Sequence, residues 1–281
     1  MNRPPKPAVK ILMYVVLVAA TLFALYPVWF GVLASGRAGD RLYTLNLAGM
    51  FVPTEWTWDN YQILLSEKPF LTWVQNSLFI AGLTAVAALL IGTSAAFAFS
   101  RFKFWGREAG LIVFLAIQAF PGILALVAIA QILAAVGLYG TSWGLIAAYM
   151  AGTLVFVIWN LKGYFDTIPI DLEESGMIDG AGPIQSFVYI ALPLARPALA
   201  VTALFGFMAG WGEFFLANIL IPAPDAKKTV MAGMFQMANE TSVPWGQFAS
   251  GAVIVIIPVV LVFLWLQRYL EAGLTVGGVK G

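Results

Sequence analysis

The 281-residue chain contains no cysteine and no histidine. Disulfides and thiol redox chemistry are thereby excluded, and the usual general base and commonest metal ligand are missing. Charge is scarce too: 10% of residues are charged and 61% hydrophobic, too little polar surface to cover a water-soluble globule of this size. The formal net charge of +1 gives no global field for nucleic acid or acidic substrates. No G-x-x-x-x-G-K-[ST] phosphate loop occurs, and the terminal "GGVKG" lacks its spacing. No catalytic residue, metal site or bound cofactor is expected, and no nucleic-acid partner.

What the chain has instead is long apolar runs. A helix needs about 20 apolar residues to cross a bilayer, and only helices or closed barrels satisfy their backbone groups there. Residues 11–34, 72–99 and 247–267 are uncharged runs of that length. The run 109–161 is uncharged and about two crossings long, with turn residues in "VGLYGTSWG" near its middle, giving spans 110–135 and 143–161. A run interrupted only by Glu213 gives a fifth span, 197–221. The expected fold is an all-α integral membrane protein of six helices, forming one domain over 1–281.

Charge position orients it. With the N-terminus cytoplasmic, that side carries Arg3, Lys6, Lys10, Arg101, Lys103, Arg107, Lys162, Arg196, Arg268 and Lys280. The outside keeps Arg37, Arg41, Lys68, Lys227 and Lys228. The excess places both termini inside. Tryptophans such as Trp56, Trp58, Trp105, Trp143, Trp245 and Trp265 fall near the span ends, where an amphipathic ring is at home.

Between spans four and five lies a cytoplasmic loop, 168–193, rich in acidic residues, that reads as helix, turn, helix. Asp171 and Glu174 have the spacing of a capping box. Leu172, Ser175, Gly176 and Asp179 share one face, Gly180 and Gly182 end the first helix, and Pro183 starts a second. Ile184, Phe187, Val188 and Ala191 make its apolar stripe. An acidic loop is a poor fit to an anionic leaflet, which favours docking to a protein. Within the spans, Glu213 is the one deep carboxylate, costly to bury unpaired, and it faces either a pathway or partner, or water at the outer interface. Gln118, Asn218 and Asn76 are weaker polar candidates. Gln118 precedes Pro121, and Pro258 interrupts span six, giving expected kinks or cavity-lining carbonyls.

"EESGMIDGAG" followed by "IALP" resembles the cytoplasmic signature of the permease subunits of binding-protein-dependent ABC importers. The tail "GLTVGGVKG", with "VQNSLFIAG" and "WGEFFLANIL", is similar to the sugar-importing permeases of the maltose type. The resemblance implies that 168–193 is a coupling loop seated in a separate ATPase, with Glu173, Glu174, Ser175, Gly176, Asp179, Gly180 and Ala181 at the matching positions. Ser175 and Gly176 stand where the family usually has two alanines. A glycine in a helix costs about 1 kcal/mol relative to alanine.

The same resemblance implies that the tail 268–281 contacts the ATPase through Gly277, Gly278 and Lys280. It implies that the outer loop 222–246 presents Asn239, Glu240 and Thr241 to an external solute-binding protein. The expected partners are that binding protein, a second permease subunit, an ATPase dimer holding the ATP and magnesium, and the bilayer of a bacterial cytoplasmic membrane. The cargo would be a maltose-like oligosaccharide. A self-sufficient ion-coupled transporter or channel is the competing class. It needs intramembrane ion sites and paired broken helices, and neither is evident in the sequence.

Overall fold

The computed structural model describes residues 6–39, 41–42, 46–222 and 225–277, with side chains described as far as 269. In chain order the helices are α1 (Pro7–Ser35), α2 (Asp59–Glu67), α3 (Phe70–Arg101), α4 (Arg107–Ala119), α5 (Leu126–Ala135), α6 (Ser142–Phe165), α7 (Asp171–Ile178), α8 (Pro183–Ser186), α9 (Leu192–Leu194), α10 (Arg196–Gly212), α11 (Phe215–Leu220), α12 (Val230–Ala238) and α13 (Trp245–Gly277). A π-helical turn, Phe187–Ala191, joins α8 to α9. Among the described residues there is no strand.

Among the described residues, four helices are long and apolar enough to cross a membrane: α1, α3, α6 and α13. Two bent pairs raise the number of candidate spans to as many as six. The expected span 110–135 is not one rod: α4 ends at Ala119, Pro121 caps a short 3-10 turn, and the following helix leaves at 90°. A proline lacks the N–H needed to continue the ladder and biases the residue before it away from the helical region. The expected span 197–221 is also broken, because Glu213 takes an extended conformation between α10 and α11. Pro258, by contrast, lies inside an unbroken α13.

The chain divides into two compact units, Met1–Phe70 with Gln236–Ile257, and Leu71–Phe235 with Pro258–Gly281. In the first, α1 is exposed along nearly all its apolar length and is buried only at Leu33, Ala34 and Ser35. Its end is pinned by Asn60, which is buried and donates to the Ser35 carbonyl at 3.0 Å and the Arg37 carbonyl at 2.8 Å. Tyr61 shares a 2.7 Å hydrogen bond with the Ser35 hydroxyl.

In the second unit, α10 crosses α3 at small residues. A methyl group added at Gly210 would stand 3.1 Å from the Ala81 Cα, so the two backbones are as close as side-chain-free surfaces allow, the usual contact between helices in lipid. Ile80, Leu145, Ile146, Tyr149, Leu220 and Ile221 form one buried cluster there. A second, formed by Phe97, Val157, Leu161, Phe165, Ile168, Ala191 and Ala195, lies under the 168–193 loop.

Candidate functional site

The 168–193 loop has a tied inner side and an open outer side. Asp171 is the first residue of α7, and the N-cap is Ile170, without a side-chain cap. The expected Asp171–Glu174 capping box is therefore absent. The helix starts one residue earlier than that motif requires, so Asp171, Glu173 and Glu174 all occupy the first turn, where carboxylates oppose the exposed N–H dipoles. The C-terminus follows expectation. Gly180 adopts φ +95°, its N–H donates to the Met177 carbonyl and the Ala181 N–H to the Gly176 carbonyl, the paired bonds of a Schellman cap.

Gly176 has a packing role. A methyl group there would lie 2.3 Å from Ile190 Cδ1, so the two halves of the loop close on each other at this point. The second helix departs from the expected stripe. Pro183 does open it, with Gln185 accepting from the Gly182 N–H at 2.9 Å. Phe187 and Ala191 pack on the cluster beneath the loop as the stripe requires, whereas Ile184 and Val188 face outward. The outer side carries Leu172, Met177, Ile178, Ile184 and Tyr189, with Ile178 87% and Ile184 79% exposed.

Glu173 points inward and is 3% exposed. Arg101, the last residue of α3, donates from Nε to Glu173 Oε1 at 2.8 Å, with Nη2 at 2.8 Å from the same oxygen. Nη2 also donates to the Ile168 carbonyl at 3.0 Å and Nη1 to the Ser100 hydroxyl at 3.0 Å. That hydroxyl donates to Asp166 at 2.6 Å, and Lys162 donates to the other Asp166 oxygen at 2.6 Å. Burial pushes the Asp166 carboxyl up, but the hydrogen bonds from Lys162 and Ser100 and the charges of Lys162 and Arg101 outweigh it, holding the carboxyl below its ordinary value. Removing one partner of a buried ion pair such as Arg101–Glu173 costs about 3–5 kcal/mol. Glu174, Ser175 and Asp179 are exposed, and Gly176 and Ala181 partly so.

The break in α10–α11 is organised by Glu213. Its Oε1 accepts from the Leu216 N–H at 2.8 Å, and its Oε2 from the Ala217 N–H at 3.2 Å and the Tyr149 hydroxyl at 2.6 Å. The carboxyl thus replaces helix bonds lost where the chain turns extended. Tyr149 and Glu213 line a cavity of about 410 Å³ with Thr153, Phe156 and Phe205. Glu213 is partly buried at this cavity, with its carboxyl bonded to Tyr149 and to the start of α11. Gln118 and Asn218 are exposed on separate helices and do not join it. Asn76 holds the segment before α12, donating to the Ala226 and Lys228 carbonyls at 2.9 Å each.

Asn239, Glu240 and Thr241 are exposed between α12 and α13, and Glu240 is paired with Lys68 at 2.8 Å. In the tail, Gly277 ends α13, and the expected contacts Gly278 and Lys280 lie outside the described residues. Arg101, Ser100, Asp166 and Tyr149 were not singled out from sequence. The Lys162–Asp166 spacing of four on a helix was the available sign.

Long and bent apolar helices carrying an acidic helical loop with an exposed apolar side fit an integral membrane protein. The family described as "Binding-protein-dependent transport system inner membrane component" matches residues 88–276. The chain is 35% identical to the maltodextrin transport system permease protein MdxG of Bacillus subtilis (strain 168), covering 97% of this chain and 96% of that one. It is 36% identical to the maltose/maltodextrin transport system permease protein MalG of Escherichia coli (strain K12), covering 96% and 94%. A solved bacterial ABC transporter involved in the import of the acidic polysaccharide alginate has a chain that matches with a TM-score of 0.79 at 22% identity, over 95% of this chain and 99% of that one. The chain belongs to the inner-membrane components of binding-protein-dependent transport systems. It is a transport permease subunit and not an enzyme.

Proposed function

We propose that the chain forms half of the translocation pathway of an ATP-driven importer of maltose-like oligosaccharides in a bacterial cytoplasmic membrane. In this reading it has six spans with both termini cytoplasmic, and the helix breaks at Pro121 and Glu213 each fall within a single span. The relatives named for maltose and maltodextrin support the cargo class. The excess of basic residues at one set of span ends supports the orientation.

The observation that carries the reading is the outer side of the 168–193 loop. Ile178, Ile184 and Tyr189 lie uncovered beside the exposed Glu174 and Asp179, and an apolar patch with an acidic rim fits a protein cleft better than an anionic leaflet. The occupant is an ATPase dimer, which supplies ATP and magnesium, and the tail residues Gly277, Gly278 and Lys280 reach the same partner. The exposed Asn239, Glu240 and Thr241 face an external solute-binding protein, and a second permease completes the pathway. The test is co-purification with the cognate ATPase from membranes. The wild-type chain should retain it, and a chain carrying Ile178→Glu and Ile184→Glu should lose it. Full retention by that variant would overturn the docking assignment.

A further inference from the structure

We infer that Arg101 is a positioning residue for energy coupling: it fastens the docking loop to α3, which Ser100 and Asp166 join to α6, so that loop and spans move as one body. The inference rests on the reading of 168–193 as the ATPase-docking loop. It deepens that reading by naming what connects the loop to the pathway.

The geometry is specific. Arg101 closes α3, Lys162 and Asp166 close α6, and Glu173 sits in the first turn of α7. Bonds run without interruption from Lys162 to Asp166, Ser100, Arg101 and Glu173, each at 3.0 Å or less. Arg101 also holds the Ile168 carbonyl, so one planar guanidinium fixes a side chain of α7, the backbone just before it and the end of α3. A guanidinium is suited to this because its donors point in set directions.

The two neighbouring acids have divided roles. Glu174 is exposed on the side open to a partner, and Glu173 is turned away from it and buried. A partner that presses on α7 therefore meets an element whose inner side is bonded to α3, and displacement of the loop must move the spans. If only apolar packing held the loop, the same push could slide α7 over the cluster beneath it. A buried ion pair seldom adds net stability over an apolar pair of similar volume, so a directional tie is the more economical reason for its presence.

The test uses the complete complex in proteoliposomes with its binding protein, and the readout is sugar taken up per ATP hydrolysed. That ratio is independent of how much complex assembles. In Arg101→Met with Glu173→Leu no buried charge is left unpaired, and the complex should assemble while the ratio falls about fivefold or more, as expected of a slipping linkage. Glu173→Gln, which keeps the shape, provides a second variant and should give a smaller fall. A wild-type ratio in either variant would overturn the inference. Failure of the wild-type chain to retain the ATPase would instead remove the docking reading itself.

Discussion

Gly180 ends α7 in a conformation that other residues avoid, φ +95°. Gly180→Val places a β-branched side chain in the left-handed region, at about 1–2 kcal/mol, and weakens both bonds of the cap. Membrane insertion should be unaffected while uptake per ATP falls, and normal uptake in vesicles would contradict this. Tyr149→Phe removes a hydroxyl bonded at 2.6 Å to Glu213. A hydrogen bond to a carboxylate contributes about 1.5–3 kcal/mol, so the detergent-purified chain should unfold at lower temperature, and an unchanged midpoint would show the bond to be unimportant. The depressed Asp166 carboxyl stabilises the fold while ionised. Its contribution is present above the ordinary carboxylate range and lost as pH falls through the lowered value, below about pH 4. Asp166→Asn should flatten the acid limb of a stability–pH curve, modestly because the group is half exposed. Residue roles were the least legible level. Gly180 could be assigned because a helix stop demands it, whereas Arg101 counted only as a positive charge, since its partner Glu173 is 72 positions away.

Elements were read better, because apolar run length is set by bilayer thickness. Residues 72–99 sit inside α3 and 143–161 inside α6. The breaks were half legible: Pro121 and Glu213 were visible as a proline and a lone charge, but a 90° bend depends on what the following helix packs against, which no local pattern encodes. The stripe on the second loop helix was also half legible: Phe187 and Ala191 pack inward, while Ile184 lies exposed before the π turn and Val188 exposed within it. The contact of Gly176 with Ile190 yields an element-scale expectation. Gly176→Ala meets only the mobile tip of Ile190 and regains about 1 kcal/mol of helix propensity, so thermal stability and uptake should stay near wild type. Gly176→Leu should force the halves of the loop apart and lower both. Equal behaviour of the two variants would mean that the halves are not held in register here.

At the scale of the whole molecule, the long apolar helices take, in the proposed function, the part of a conduit wall and the 168–193 loop that of a handle, with the energy supplied by a partner subunit. The missing phosphate loop and the scarcity of intramembrane charge are what point to a partner as the energy source. The ion-coupled alternative gains a little from the two helix breaks that the structure revealed, yet the Glu213 carboxyl at one of them is already engaged by two backbone N–H groups and Tyr149. The decisive measurement is sugar flux into proteoliposomes built from this chain, its partner permease, the ATPase and the binding protein, with each component omitted in turn. Flux should require all four together with ATP, and the chain by itself should neither hydrolyse ATP nor pass sugar. Uptake by the single chain under an ion gradient would contradict the account.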